Sequence, residues 1–499
     1  MKTSRTINRR QFIGSAAAAS VAFTVVPRYV LGGQGYVAPS DKLTIAYIGC
    51  GTQGLREMAA LITDPSIQIV SVCDPNKMSE NYVDWSKNEI RDIMRKIIGE
   101  PNWGANLKGI PGGRDIGQEM VNKYYSKDKS LNFKGCSSYA DFRELLEKEK
   151  DINAVKIMTP DHLHATVALA AFKKGKHVVT HKPIANRMHE AKVLIDTAGK
   201  TGLSSHLLAW SRRPAYDAIK KLINDGKIGN LKEIHNWSNR PVWPQWQANP
   251  TDKPSVPDGL DWSLWLGPVP DRPYHPNYTN AVFRGWYDFG AGSIADMGHY
   301  SLFPLFLTLG INKPATSAEA YGTTTCTLID QVSVGVKNDV AFPLSCIIRF
   351  RFGAQAELPP FELVWYDGGM KPPVPEEMYK LGKSFSGEGM MFVGDKGMIV
   401  GDFRGENPYL YADGKAEKID VPDDKTERGN DVWINAFKTG KQAPGSFLYA
   451  GPVTETILLG AVALRARKRV EYDSASMKIT NNDDANKFLV REYRPGWEI

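Results

Sequence analysis

Gly49-Cys50-Gly51-Thr52-Gln53-Gly54 is a G-x-G-x-x-G run, the spacing at which a backbone can wrap an anion. Gly49 permits the tight turn, Gly51 lets the backbone approach a pyrophosphate, and Gly54 permits close packing of a helix on a strand. The helix N-terminus then faces the anion, with Thr52 and Gln53 at its start. Asp74 follows Gly54 by twenty residues. An acid there accepts hydrogen bonds from ribose hydroxyls and repels a 2′-phosphate, which favours NAD over NADP. Lys77 nearby tempers that preference.

A second group suits proton and hydride chemistry. Hydride transfer from a secondary alcohol needs a base for the hydroxyl proton and a cation or donor for the developing alkoxide. Lys182 ends an apolar run, His177 to Thr180, that reads as a parallel strand. Ligands bind at the carboxyl edge of such sheets. Asp296 and His299 stand three apart at what reads as a helix start, so both can face one side. Tyr300 is the alternative at spacing four. His162 and His164 lie on one loop without a cysteine or a carboxylate cluster, so no metal is expected and both are read as lining the nucleotide.

The elements needed to place these residues are legible. A strand, 43–48, precedes the glycine run and a helix, 55–62, follows it; a second strand, 67–73, ends at Asp74. Residues 78–135 interrupt this rhythm with one amphipathic helical stretch, 88–98, and a glycine-rich loop, and read as a surface insertion that either covers the site or decorates it. The rhythm resumes with a helix at 139–148 and strands at 154–158 and 177–180. The first leads into Thr159-Pro160-Asp161-His162-Leu163-His164 and the second into His181-Lys182-Pro183. A strand at 231–237 opens a second domain. The following stretch is dense in Trp243, Trp246, Trp262, Trp265, Tyr274 and Trp286, candidate platforms for a pyranose ring or ordinary core residues. Arg212, Arg213 and Arg240 are candidate polar contacts. Helices are expected at 431–438 and 453–468.

Four motifs together resemble the Gfo/Idh/MocA oxidoreductase family over about residues 42–470. They are the glycine fingerprint with Asp74; Thr159, Pro160 and His164 as T-P-x-x-x-H; Gly175 to Val178 followed by Lys182-Pro183; and Gly292 to His299. The resemblance implies an α/β protein: an N-terminal Rossmann domain and a C-terminal α/β domain with an open, mostly antiparallel sheet that often mediates oligomerisation. It implies NAD(P)-dependent redox chemistry on sugars, inositols and polyols, with Lys182 touching substrate hydroxyl and nicotinamide ribose. Thr159, Pro160, His162, His164, His181 and Lys182 join the glycine loop as cofactor contacts, and Lys182, Asp296 and His299 form the catalytic group. Two departures stand out. His181 replaces the family's usual Glu, and the family's Asp–His pair is usually four apart. The expected domains are a Rossmann domain at 42–205 and a substrate and oligomerisation domain at 206–470, ending in a polar tail, 471–499.

Composition narrows the field. Hydrophobic content of 42% and charge of 23% are those of a globular protein. The net charge of +7 owes five units to Lys2, Arg5, Arg9, Arg10 and Arg28; residues 1–33 hold no acid, so the remainder carries about +2 and no footprint for nucleic acid. Five cysteines make no disulfide framework, and Cys50 and Cys73 read as small buried residues. Asn8-Arg9-Arg10-Gln11-Phe12-Ile13 before the Ala/Ser-rich run 14–26 reads as a twin-arginine export signal within residues 1–40. That run is too short and small-sided to span a bilayer, and no later apolar run is long enough. The chain is therefore expected to be an exported NAD-dependent oxidoreductase of a sugar or polyol that uses the twin-arginine machinery and forms a homo-oligomer. Two other readings are an NAD-recycling glycosidase that oxidises, eliminates, adds water and re-reduces, and a non-catalytic nucleotide-holding protein.

Overall fold

The computed structural model describes residues 42–128, 133–423 and 429–499. The export signal lies outside them. Six parallel strands form the first sheet: β1 (Leu43–Ile48), β2 (Ile67–Cys73), β3 (Ser137–Tyr139), β4 (Ala154–Ile157), β5 (His177–Thr180) and β6 (Ser205–Leu207), in the order β3-β2-β1-β4-β5-β6. Strands covered on both faces are apolar nearly throughout, and β4 is buried at all four positions. The order reverses between β1 and β4, so a crevice opens beyond their carboxyl ends, where Gly49 and Thr159 begin their loops.

The second sheet has ten strands: β7 (Leu231–Trp237), β8 (Ser317–Gly322), β11 (Cys346–Phe352), β12 (Phe361–Tyr366), β13 (Gly389–Gly394), β14 (Met398–Gly401), β15 (Tyr409–Ala412), β16 (Lys415–Lys418), β17 (Val470–Asp473) and β18 (Lys478–Ile479). A separate hairpin, β9 (Cys326–Ile329) with β10 (Val332–Gly335), stands off it. Pairing is antiparallel except between β7 and β12. β11 alternates buried and half-buried residues, the pattern of a sheet with one face on a core. A Rossmann domain followed by an open mixed sheet is the architecture expected.

Four expectations change. Within 78–135, the helix Arg114–Tyr125 buries Ile116, Met120, Val121 and Tyr125 in the core over β2 and is the crossover from β2 to β3. Its short apolar spacing among Gly117, Gln118 and Asn122 hid it. The stretch 471–499 is no free tail: β17 pairs with β8, and Ala485, Leu489 and Trp497 are buried. The two domains also interleave, because the helix Asp431–Thr439 packs Trp433 and Phe437 into the Rossmann core. Finally, Phe447–Ala466 is a twenty-residue helix apolar enough in length and composition to cross a membrane, yet most of it is buried between the domains as a core helix. Its Thr454, Glu455 and Thr456 mask it from a search for an unbroken apolar run.

Candidate active site

The glycine loop is shaped by sterics. Gly49 has φ +102°, and a Cβ there would lie 2.5 Å from the Met158 carbonyl carbon. A Cβ on Gly54 would lie 2.3 Å from the Gly49 carbonyl oxygen, so the helix Thr52–Leu61 reaches the turn only because both positions are glycine. Gly51 is the N-cap and has no side chain to cap with, which leaves the first-turn N–H groups open to an anion. Asp74 is buried beside this loop. Its Oδ2 accepts from Cys50 N (2.7 Å) and its Oδ1 from Asn76 N (2.8 Å), while burial pushes its carboxyl up to about 6. Each carboxylate oxygen keeps a lone pair for a ribose hydroxyl. Cys50 and Cys73 are buried, as read from sequence.

One cleft holds Gly49, Gly51, Thr52, Gln53, Gly54, Asp74, Thr159, Pro160 and His181, together with Trp265, Tyr274 and Arg284 from the second domain. The donor set suits a dinucleotide: an uncapped helix start for the pyrophosphate and a carboxylate for the ribose. The insertion covers one wall. Tyr82 lies against Gly51 and Gly112, its hydroxyl accepts from Asn76 Nδ2, and Arg56 on the glycine-loop helix pairs with Asp84 (2.7 Å) and Glu89 (2.8 Å). Tyr82 carried no sequence signal. Trp265 and Tyr274 are the cleft-lining members of the aromatic stretch; Trp286 and Trp243 are buried.

At the catalytic end, Lys182 Nζ donates to Asp296 Oδ1 at 2.6 Å, both side chains nearly buried. Lys182, the Arg284 guanidinium (3.4 Å) and that of Arg240 (4.0 Å) hold the Asp296 carboxyl below its usual range against the opposing effect of burial. Asp296 lies in a single π-helical turn, Ile294–Gly298, that leads into the helix His299–Leu309. At roughly 4.4 residues per turn, three positions cover about 245° and four about 330°. Tyr300 therefore shares a face with Asp296, and His299 does not.

The contacts agree. His299 is fully buried, with Nδ1 on the Ala295 carbonyl (2.9 Å) and Nε2 on Thr454 Oγ1 (3.4 Å). The carbonyl only accepts, so the proton is on Nδ1. Tyr300 places its ring 5.0 Å from Lys182 Nζ and its hydroxyl 3.3 Å from His181 Nε2. Burial and the nearby Lys182 charge push His181 well below its ordinary value, so its Nε2 is free to accept.

The other two histidines are structural. His162 Nε2 donates to Trp265 O (2.9 Å), its ring packs on Trp265 and Phe289, and it is held by burial down to about 3; it does not line the cleft. His164 bridges the Pro183 carbonyl (2.5 Å, Nδ1) and the Thr159 carbonyl (2.8 Å, Nε2), tying the loop after β4 to the loop carrying Lys182. Among the described residues no three His, Cys, Asp or Glu side chains gather as a metal site. Arg212 and Arg213 lie apart from this cluster, around a cavity of about 750 Å³ with Trp210 and Trp433.

Two family models match the chain. One, for the "Oxidoreductase family, NAD-binding Rossmann fold", matches residues 119–207, and the other, for the "Oxidoreductase family, C-terminal alpha/beta domain", matches residues 215–321. Among curated proteins, levoglucosan dehydrogenase of Pseudarthrobacter phenanthrenivorans is 35% identical over 131 residues, 25% of this chain and 33% of that protein. Inositol 2-dehydrogenase of Salmonella typhimurium is 30% identical over 120 residues, 24% of this chain and 33% of that protein. The chain thus aligns with about a third of the length of these relatives. A solved levoglucosan dehydrogenase in complex with NADH and levoglucosan superposes with a TM-score of 0.48 at 16% identity, covering 86% of this chain and 99% of that one. The aldose-aldose oxidoreductase of Caulobacter crescentus, complexed with glycerol, gives 0.47, 16%, 86% and 99%.

Proposed function

We propose that this chain is a member of the Gfo/Idh/MocA oxidoreductase family and an NAD-dependent oxidoreductase that removes hydride from a CH–OH group of a sugar, glycoside or polyol. The observation that carries this reading is the contact set Asp296–Lys182–Tyr300–His181, which adjoins through His181 and Arg284 the cleft that also holds the glycine turn and Asp74. The glycine turn and Asp74 would hold NAD there, which would supply the hydride acceptor. Asp296 holds Lys182 in place as a cation, and Lys182 stabilises the alkoxide that forms as the O–H bond breaks. Tyr300 takes the hydroxyl proton as its own proton moves to His181 Nε2. His181, where the family usually has Glu, is held neutral by burial and the Lys182 charge, and so passes the proton on toward solvent rather than keeping it. His164 positions Lys182 through the Pro183 carbonyl.

Asp74 supports NAD over NADP, since a 2′-phosphate would meet a carboxylate already crowded by two hydrogen bonds. Export by the twin-arginine route belongs to the same proposal and rests on Arg9 and Arg10. So does a homo-oligomer, supported by the exposed apolar residues Leu328, Ile329, Val332 and Val334 on the hairpin β9–β10.

The test is a panel of sugars and glycosides deuterated at the candidate carbon, followed by single-turnover absorbance of NADH. A primary isotope effect that disappears with activity in Lys182→Met is expected, with a loss on the order of 10²–10³ in rate. Full turnover by Lys182→Met would remove the reading. NADH that forms and is consumed within one turnover, with release of the aglycone, would identify the oxidise–eliminate–hydrate route.

A further inference from the structure

Charge is unbalanced at the catalytic end. Lys182, Arg240, Arg284 and Arg404 converge on Asp296 and Tyr300; Arg404 lies 5.3 Å from the Tyr300 ring, on which Lys182 also sits. The carboxylates near this group are Asp296, the buried Asp161, which accepts from Ala291 N (3.2 Å), and Glu406, which accepts from Arg404 N (2.9 Å) and also pairs with Arg213 outside the group. Lys182 is the one cation that hydrogen-bonds Asp296. Each guanidinium carries five N–H donors. Arg240 spends one on Asn239 Oδ1; among the described residues Arg284 and Arg404 donate no side-chain hydrogen bond. The Nε atoms of Arg240 and Arg404 are buried without a partner. Arg240 and Arg284 share Asp296 with Lys182, and Arg404 has no ion pair among the described residues, so the four cations outnumber the carboxylates they share and an anion beside them would be stabilised.

The dinucleotide does not account for all of this. Arg284 lines the cleft that also holds the glycine turn, but Arg240 and Arg404 do not line it. An oxidised nicotinamide is itself cationic and attracts neither. Both of these arginines come from the second domain, after β7 and after β14, and reach Asp296 and the Tyr300 ring beside Lys182. Arg240 is also stacked on Trp85, 5.5 Å from its ring, which fixes the plane of its guanidinium.

We propose that the sugar substrate carries an anionic group, a carboxylate or a phosphate, received by Arg240 and Arg404 beside the reacting carbon. A guanidinium fork matches either anion with two parallel N–H bonds. The proposal rests on the placement of the reacting pair given above, but its test reads binding rather than turnover. The two can therefore fail separately.

NADH-loaded protein is titrated calorimetrically with inorganic phosphate, D-glucuronate, D-glucose 6-phosphate and D-glucose. At least one anion should bind ten-fold or more tighter than glucose, and the better of glucuronate and glucose 6-phosphate identifies the group. Arg240→Gln/Arg404→Gln should erase that difference while leaving NADH affinity unchanged, and Arg404→Lys should restore part of it. Absence of anion binding, or anion binding unchanged in the double variant, overturns the proposal. Anion selectivity retained in a Lys182→Met protein that still turns over would instead remove the catalytic reading and leave this one standing.

Discussion

At the residue scale, His299 and Tyr300 divide two roles that one sequence position could have held. Tyr300→Phe removes the hydroxyl between Lys182 and His181 and should lower kcat by about 10²–10⁴, the range for a lost acid–base group. His299→Gln should change kcat little but lower the denaturation midpoint, because Ala295 O and Thr454 Oγ1 lose a fixed partner, a cost of about 1–3 kcal/mol. Equal kcat losses in both variants would contradict this division. The buried histidines also set an acid limit. Burial lowers His299 to about 4 and both His162 and His206 to about 3. Each binds its proton more readily when unfolded, near pH 6.5, so stability falls as pH drops from there toward 3. Asp74, raised to about 6, works with the opposite sign between its ordinary value and pH 6. His164, His177 and His181 are lowered as well, and Asp161, Asp367 and Glu455 are raised, so six histidines oppose four carboxylates and the urea midpoint should decline from pH 6.5 to 4. A flat profile would refute it.

At the element scale, the C-terminal segment after β17 acts as a strap across the Rossmann domain. Arg491 pairs with Glu190 (2.5 Å), and both side chains are almost wholly buried. Tyr493 adds a bond to the same carboxylate, and Trp497 packs on Phe142 under the Arg143 guanidinium. Removing one member of a buried ion pair strands the other. Arg491→Met should therefore destabilise the protein by about 3–5 kcal/mol, whereas Arg491→Met with Glu190→Leu should recover much of that loss. Equilibrium unfolding of both variants is the measurement. If the double variant is no better than the single one, the pair is not what holds the strap.

At the scale of the molecule, the cleft joins both domains, so the dinucleotide should stabilise the whole fold. At a hundred times its Kd, NAD should add about 2.7 kcal/mol to unfolding. Asp74→Ala should narrow the gap between NAD and NADP by roughly 1–3 kcal/mol, the worth of a charged hydrogen bond; tighter NADP binding by the unaltered protein would reverse the assignment. The proposed export is a reading to be tested on the intact chain. Replacing Arg9 and Arg10 by Lys should leave folded protein in the cytoplasm, detected by fractionation, and unchanged export would exclude the twin-arginine route.

The nucleotide end was legible in the sequence because its determinants are local. Glycine at 49, 51 and 54 is required by the path of the chain itself, and a strand that ends at Asp74 presents that residue to the same turn. Lys182 was legible for a similar reason, because it follows closely on the carboxyl end of a buried parallel strand. What the sequence left open needed contacts between distant segments. Whether Asp296 faces His299 or Tyr300 depends on a π turn, and that turn depends on packing against the helix Phe447–Ala466. The helix Arg114–Tyr125 and the strap after β17 carry few apolar residues, so their burial is decided by the surfaces they meet. Arg240, Arg284 and Arg404 are scattered over more than a hundred residues, and only the juxtaposition of the two domains makes them one charged wall around Lys182 and Asp296.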